Sequence, residues 1–276
     1  MSLKKHILLF VFICLYITKH SAQSIGGYTW QQEKAFDVAK DAVDGLSNSN
    51  SGIMGAIVAS NMMGGLGGVG GIAAEMIARS GVGKMTIVDA DTVDPTNRNR
   101  QIPALSSTEG VLKTDVLKAR LLDINPDLEL TVIPEYFRDE LTHSVLDEGN
   151  FDYALDCIDT LSPKVFFIKA CLDRKIPLVS SMGAGNKVDP TQVKVDDISK
   201  SYNCKLAKYT RKYLHKFGIR KGVKVVFSAE EAQQFMGVTM VGARNKKSAP
   251  GTISYLPAVF GCTMASVAIR DLYNRK

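Results

Sequence analysis

Apolar and polar positions along the chain alternate in blocks that are typical of an α/β protein. Short, almost unbroken apolar runs predict buried parallel strands at 85–88, 128–133, 151–155 and 177–181. Apolar residues at helical spacing predict helices after a glycine-rich stretch at 65–70, over 109–124 and over 163–174. A further strand is expected within 53–63, before the glycines. This alternation predicts a Rossmann-like, mostly parallel sheet with helices on both faces, plus a smaller C-terminal substrate-binding extension.

The same pattern suggests four segments along the chain. The first, residues 1–24, has the lysines Lys4 and Lys5 before an apolar run from Ile7 to Ile17. That run is too short to span a bilayer, which takes about 20 residues, and it predicts a signal-like or membrane-proximal leader. A buried strand or helix, or a start foreign to the protein, are the alternatives. A poorly defined segment (25–60), a Rossmann-like core (61–190) and a basic insertion with closing elements (191–276) follow.

Composition narrows the class of protein. The 276 residues are 45% hydrophobic and 22% charged, which excludes a disordered chain, a fibre and a multi-span membrane protein. Five cysteines without a C-x-x-C pair suggest neither a zinc site nor a disulfide framework, and favour the cytoplasm, with membrane association possible through residues 4–20. Cys157, Cys171 and Cys262 lie in apolar stretches and are expected in the core. The role of Cys204, in a polar basic segment, stays open.

A glycine-rich turn carries the first chemical signal. The stretch Gly65-Leu66-Gly67-Gly68-Val69-Gly70 fits the G-x-G-x-x-G pattern, and Asp89 follows 19 residues after its last glycine, at the end of a predicted strand. Glycines let the backbone approach a phosphate at the positive N-terminus of a helix, and a carboxylate at this distance binds a ribose. The arrangement predicts a nucleotide site.

Further motifs resemble a known family. The glycine turn, the string Asp89-Ala90-Asp91, the string from Asn97 to Gln101, and Lys113 thirteen residues after Arg100 resemble the ATP site of the ubiquitin-activating-enzyme-like adenylyltransferases. The stretch Asp156-Cys157-Ile158-Asp159 completes that resemblance, which covers roughly residues 64–276.

The resemblance implies roles for single residues. Arg100 and Lys113 would hold the polyphosphate of ATP, Asp89 the ribose, and Asn97 would orient the phosphates. Asp159, with help from Asp156, would hold Mg²⁺, which favours one or two carboxylates plus substrate phosphates.

Closer matches, such as Asp189-Pro190-Thr191-Gln192, imply the branch of the family that dehydrates threonylcarbamoyladenosine in tRNA. That reaction activates a carboxylate by adenylation and then closes a ring. The resemblance also implies a homodimer, and leaves a sulfur-relay or redox protein as a further partner. Members carry an N-terminal arginine that reaches the ATP of the other subunit, whereas no arginine precedes Arg79 in this chain.

A basic segment lies outside the nucleotide-binding core. Between Ile198 and Ala229 there are nine Lys or Arg residues and no Asp or Glu. An ordinary solvated surface mixes both signs, so this run favours a surface for the RNA backbone over a plain solvated helix. The cations expected to bind tRNA along one helix are Lys205, Lys208, Arg211, Lys212 and Lys216.

Three other functions remain open at this stage. An adenylyltransferase for a sulfur-carrier or ubiquitin-like protein would use the same site, although many such enzymes have C-x-x-C zinc pairs. An NAD-dependent oxidoreductase fits less well, because Arg100, Lys113 and Asp159 suit a triphosphate with magnesium. A membrane-tethered, non-catalytic nucleotide-binding protein would account for the leader.

Overall fold

The computed structural model describes residues 56–60, 66–136, 139–232, 237–238 and 249–274. The chain divides into two compact units, Met1–Asn50 and Ser51–Lys276. The first unit lies outside the described residues, and with it the expected leader (1–24) and most of the segment 25–60. Gly65, the first residue of the glycine turn, also lies outside them.

Strands and helices alternate through most of the described chain. The strands are β1 (Ala56–Ser60), β2 (Lys84–Val88), β3 (Glu129–Ile133), β4 (Phe151–Asp156), β5 (Leu178–Ser181), β6 (Val193–Asp197), β7 (Lys224–Ser228), β8 (Gly237–Val238) and β9 (Ala249–Pro250). The helices are α1 (Gly70–Arg79), α2 (Lys113–Ile124), α3 (Asp139–Glu148), α4 (Leu161–Asp173), α5 (Lys205–Lys216) and α6 (Tyr255–Tyr273).

Seven strands form one sheet in the order β3-β2-β1-β4-β5-β7-β6. All neighbours in it are parallel except β6, which pairs antiparallel with β7. β1 is the third strand in this order and is paired on both sides, with β2 and with β4. After β1 the chain first adds strands on one side, β2 and β3, and then crosses to the other side of β1 to form β4. The strand order therefore reverses at β1, and in such sheets ligands bind at this switch point, beyond the carboxyl ends of the strands.

Side chains that alternate along the strands pack into two hydrophobic cores, one on each face of the sheet. Tyr153 and Leu155 of β4 pack in one core with α1, α2 and α6. Ala154, between them, packs in the other core with α3, α4 and α5. Because successive strand residues point to opposite faces, this division places helices on both faces of the sheet. The Rossmann-like, mostly parallel fold expected from the sequence is confirmed.

Two helix boundaries were wrongly predicted. α2 begins at Lys113 and not at 109, because Gly110 has φ +78° and the chain there pairs with Val93, whose N–H donates to the Val111 carbonyl. The sequence also predicts a closing helix from Met264, after a small-residue turn at Gly261, whereas this helix already begins at Tyr255. Gly261 lies inside it, where a Cβ would come within 2.6 Å of the Val69 carbonyl oxygen, so this glycine lets α6 pack closely on α1.

The segment 191–276 is part of the main fold. It supplies the strands β6 and β7 of the sheet and the helix α6, which packs on one face of the sheet. Helix α3 and the strands β6, β7, β8 and β9 were not predicted from the sequence. Cys157 and Cys171 are buried as expected, but Cys262 is exposed, because α6 turns its neighbours Phe260, Gly261 and Met264 inward instead. Within the described residues, no helix combines the length and apolar character that a membrane span requires.

Candidate active site

The glycine turn lies where β1 leads into α1. Gly67 and Gly68 are in the turn, and Gly70 is the first residue of α1. A Cβ on Gly67 would overlap the side-chain amide of Gln101, and one on Gly68 would come within 2.7 Å of Pro257. No side chain caps the N-terminus of α1, and its first turn holds no acidic residue. The glycines therefore admit close neighbours, and the helix start keeps backbone N–H groups available for an anion.

Asp89 links the end of β2 to this turn. Its side chain is fully buried, and its two oxygens accept from the backbone N–H groups of Leu66 (3.0 Å) and Asp91 (2.7 Å). The pKa of Asp89 is raised to about 7, mainly by burial and in addition by the negative charges of Asp91 and Asp159, while the Asp91 N–H and the Lys113 ammonium lower it. Asp89 thus holds the glycine turn in place and lies in the electrostatic field of the other site residues.

Lys113 and Asp91 form the next part of the site. The Lys113 ammonium lies 2.9 Å from Asp91 Oδ2, with the lysine side chain almost wholly buried and about a quarter of the aspartate side chain exposed. The Lys113 backbone N–H also donates to the Asp91 carbonyl at 2.9 Å. Since Lys113 is the first residue of α2, these two bonds fix the start of that helix and aim its cation at the same edge of the sheet.

Arg100 follows a short 3₁₀ turn at Pro95–Asn97, which the Asp94 carboxylate caps. The Asn97 carbonyl accepts from the backbone N–H groups of Arg100 (3.1 Å) and Gln101 (3.0 Å), so Asn97 shapes the loop that carries both side chains. Arg100 is half-buried, and its guanidinium donates to the Thr96 carbonyl at 3.0 Å. Burial lowers the pKa of Arg100, and the nearby Asp159 charge raises it.

Asp156 and Asp159 lie at the end of β4 in different surroundings. Asp156 is fully buried, where Oδ2 pairs with the Lys164 ammonium at 2.7 Å and Oδ1 accepts from the Ile158 N–H at 3.0 Å. Asp159 is exposed three residues later. The two carboxylates that the sequence grouped for magnesium therefore differ, because the protein itself occupies both oxygens of Asp156.

The structure gathers five charged residues at one edge of the sheet. Asp89, Asp91 and Lys113 interact with one another, and Asp159 interacts with Asp89 and Arg100. They follow β2 and β4, which flank β1 and its glycine turn. Two cations and an exposed carboxylate beside an uncapped helix start can hold a polyphosphate with a metal ion.

The basic helix α5 lies on the face of the sheet that also carries α3 and α4. Ala207, Thr210 and Leu214 of this helix are buried. The side chains exposed along its opposite side include Lys205, Lys208, Lys212 and Lys216. Arg211 differs from them, because its Nη1 donates to the Ile198 carbonyl (3.0 Å) and the Ser201 carbonyl (2.8 Å). Arg211 thus anchors a neighbouring loop, and the four lysines form the exposed cationic row.

Comparison with known proteins places this site in a family. Residues 58–276 match the family model described as the ThiF family. The chain belongs to the ThiF family. This assignment confirms the resemblance drawn from the glycine turn, the Asn97 to Gln101 string and Lys113.

Relatives of this ThiF-family chain are close in sequence and structure. It is 40% identical over 242 residues to tRNA threonylcarbamoyladenosine dehydratase of Bacillus subtilis, covering 85% of this chain and 91% of the relative. It is 36% identical over 225 residues to the Escherichia coli protein of that name, covering 75% and 84%. A crystal structure of E. coli tRNA N6-threonylcarbamoyladenosine dehydratase in complex with ATP superposes with TM-score 0.72 at 31% identity, covering 91% of this chain and 97% of that one.

Two buried residues of the ThiF-family site, Gln101 and Lys164, received no role of their own from the sequence, although Gln101 belongs to the Asn97 to Gln101 string. The side chain of Gln101 is 94% buried against Gly67, and its Oε1 has no hydrogen-bond partner within the described residues. Lys164 is fully buried and pairs with Asp156. The sequence offers one indication of this pair: Lys164 lies eight residues after Asp156, in the first turn of α4.

The donor set fits a magnesium ion shared with phosphates. In the described ranges, no group of three or more His, Cys, Asp or Glu side chains is placed to hold a metal ion on its own. Mg²⁺ commonly binds one or two carboxylates and completes its shell with substrate phosphates and water. The Asp159 carboxylate is exposed and lies in the electrostatic field of Arg100, so it has the chemistry that such a shared site requires.

Proposed function

We propose that this protein activates the carboxylate of threonylcarbamoyladenosine in tRNA with ATP and dehydrates it to the cyclic form. The observation that carries the proposal is the convergence of Asp89, Asp91, Arg100, Lys113 and Asp159 on the uncapped start of α1. The ThiF family match and the close relatives named as dehydratases of this nucleoside support it.

In the proposed complex, the phosphates of ATP lie at the start of α1 between Arg100 and Lys113. Gly67, Gly68 and Gly70 leave room for the backbone to approach them, and Asn97 keeps the Arg100 loop in position. Asp89 remains the proposed acceptor for the ribose, with the more exposed Asp91 beside it. Asp159 would hold Mg²⁺, which supplies charge neutralisation on the phosphates when it is bound.

The chemistry then needs few groups from the protein. A carboxylate oxygen of the nucleoside attacks the α-phosphorus, the bond to the β-phosphate oxygen breaks, and pyrophosphate leaves. A carbamoyl nitrogen or oxygen of the same nucleoside attacks the activated carbonyl, and AMP leaves with the original carboxylate oxygen. Arg100 and Lys113 stabilise the negative charge that grows on the phosphates, which is an electrostatic contribution fixed before the reaction starts.

The decisive experiment compares two tRNA preparations. With ATP and tRNA that carries threonylcarbamoyladenosine, we expect release of AMP and pyrophosphate and a nucleoside that has lost one water, as seen by mass spectrometry. The matched control is the same tRNA transcribed without the modification, which should give neither product. Pyrophosphate release that depends instead on a sulfur-carrier protein would contradict the proposal and identify a carrier-activating enzyme.

We further propose that the exposed lysines of α5 contact the tRNA backbone. The salt dependence of binding reports such contacts, because each neutralised phosphate releases counterions. Replacing Lys208 and Lys212 with Ala should weaken tRNA binding and flatten the salt slope by about two units, one for each contact. Lys118→Ala is the matched control, since Lys118 is exposed on α2, which packs on the other face of the sheet. An unchanged slope in the double variant would contradict this assignment.

A further inference from the structure

Aromatic side chains are exposed in a row along α5 and at its end. Tyr209, Tyr213 and Phe217 are spaced four residues apart, so they share one side of the helix, and they are 48%, 41% and 42% exposed. Large aromatic rings dominate cores and interfaces because burying them is favourable. Three such rings in a row on the outside of a folded domain indicate a binding surface.

A row of lysines runs beside these rings. Lys205, Lys208, Lys212 and Lys216 are spaced three or four residues apart along the same exposed side. The Lys216 ammonium lies 4.7 Å from the centre of the Tyr213 ring. Within the described part of the chain, none of these four lysines forms an ion pair. The row is about 16 Å long at the helical rise of 1.5 Å per residue.

Rings and lysines also adjoin both ends of the helix. Beyond its C-terminus, the ring of Phe166, which is 57% exposed on α4, lies 6.0 Å from that of Phe217. Before its N-terminus, the exposed Tyr202 has the Lys194 ammonium 5.5 Å from its ring centre. The alternation of flat rings with cations therefore extends past one helix.

We propose that this surface binds unpaired bases of the tRNA substrate by stacking. We define it, as the aromatic–lysine face, by Lys205, Lys208, Tyr209, Lys212, Tyr213 and Lys216. Rings that alternate with cations match a single strand, whose bases offer flat faces and whose phosphates offer charge. The inference rests on the proposed function for its RNA partner and adds which part of that RNA the surface recognises.

The rings argue for a loop of RNA over a duplex. In a duplex the base faces are stacked on each other, and proteins contact its backbone and its minor groove. Lysines alone would serve a duplex, and exposed rings would add nothing to that contact. A membrane surface is also disfavoured, because two of the three purely apolar residues of α5, Ala207 and Leu214, are buried in the protein core and the third, Leu206, is only partly exposed.

The test separates stacking from charge. The double variant Tyr209→Ala/Tyr213→Ala removes two exposed rings and leaves every lysine. Its binding to an RNA hairpin with an unpaired loop, measured by fluorescence anisotropy at two salt concentrations, should weaken at least about fivefold for each ring. The salt slope should stay unchanged, because no cation is lost. The control Tyr209→Phe/Tyr213→Phe keeps the rings and should bind within about twofold of the parent.

A blunt RNA duplex of the same length completes the design. Its affinity should be equal in the parent and the alanine variant. Equal loss of hairpin and duplex binding would overturn the proposal, and so would hairpin binding that the alanine variant retains in full. Ring-dependent binding to anionic lipid vesicles, with no ring-dependent binding to RNA, would overturn it in favour of a membrane surface. A parent protein that fails to dehydrate modified tRNA contradicts the proposed function separately, since the binding assays need no turnover.

Discussion

The Lys164 ammonium lies 2.7 Å from Asp156 Oδ2, and both side chains are completely buried. Lys164 also donates to Ser180 Oγ (3.1 Å) and to the Ser181 carbonyl (2.9 Å), so all three of its N–H groups are used. The pair joins α4 to the ends of β4 and β5. Because the other oxygen of Asp156 accepts from the Ile158 N–H, the pair also fixes the turn that presents Asp159.

Removing one partner of this pair should be costly. Lys164→Met keeps the length of the side chain but leaves a buried carboxylate without its counter-charge. We expect the free energy of unfolding to fall by about 3–5 kcal/mol, as is usual when a buried pair is broken, in urea titrations followed by circular dichroism. Lys169→Met is the matched control, because its pair with Asp173 lies on the surface of α4 and contributes about 0.5 kcal/mol. Equal stability of the two variants would contradict the assigned role of Lys164.

Arg100→Ala tests the phosphate site. Arg100 is half-buried near Asp159, so its cation is held in place before ATP binds. Loss of one such group should lower ATP-dependent turnover of modified tRNA by about a hundredfold or more. The control is Arg98→Ala, two residues away, whose guanidinium pairs with Glu109 on the surface. Turnover near the parent value in the Arg100 variant would remove it from the site.

Asp159→Asn tests the metal assignment. The amide keeps the shape of the side chain and removes the charge that would attract Mg²⁺, so turnover should be abolished while circular dichroism stays unchanged. Partial recovery at raised magnesium concentration is the expected signature of a weakened metal site. Asp173→Asn, an exposed aspartate on α4, is the control and should behave as the parent protein does. Full activity of the Asp159 variant at ordinary magnesium levels would show that the metal is held elsewhere.

The sequence predicted the parts of the site that depend on local pattern. Glycines before a helix and acidic residues after apolar strands place Gly67, Asp89 and Asp159 at one edge of a parallel sheet, because such strand ends always meet there. The partners of the buried charges could not be predicted from the sequence. Lys164 and Arg211 look like any other cations in the sequence, and only the tertiary structure shows that one pairs with Asp156 and the other with loop carbonyls.

The ends of helices and the exposure of side chains were also hard to predict, because they too depend on tertiary contacts. The start of α2 depends on the positive φ of Gly110, and the length of α6 on the space that Gly261 leaves for α1. A glycine in a sequence is equally compatible with a turn and with close helix packing. Which of the two it forms depends on the residues that surround it in the folded protein. The exposure of the Tyr209 and Tyr213 rings could not be predicted either, because it depends on which side of α5 faces the core.

The buried carboxyl of Asp89 should make stability depend on pH. Its pKa is raised to about 7 in the folded protein, from about 3.8 in an unfolded chain, so the folded state binds more protons between these values. The free energy of unfolding should therefore fall as pH rises from about 5 to 7.5, by on the order of 2–3 kcal/mol, because about two pH units of this interval lie below the folded-state pKa. Carboxylates with lowered pKa, such as Glu75, act in the opposite direction but only at lower pH, where they take up protons.

Titration of the Asp89 carboxyl carbon by NMR, in protein labelled with ¹³C at aspartate, measures this directly. We expect a midpoint near 7 in the parent protein. In Asp159→Asn the midpoint should move down, because one of the negative charges that raise the pKa of Asp89 is gone. Asp115→Asn, which removes an exposed carboxylate on α2, should leave the midpoint where it is. A midpoint near 4 in the parent would mean that solvent reaches Asp89, and the role assigned to it as a buried link between β2 and the glycine turn would be wrong.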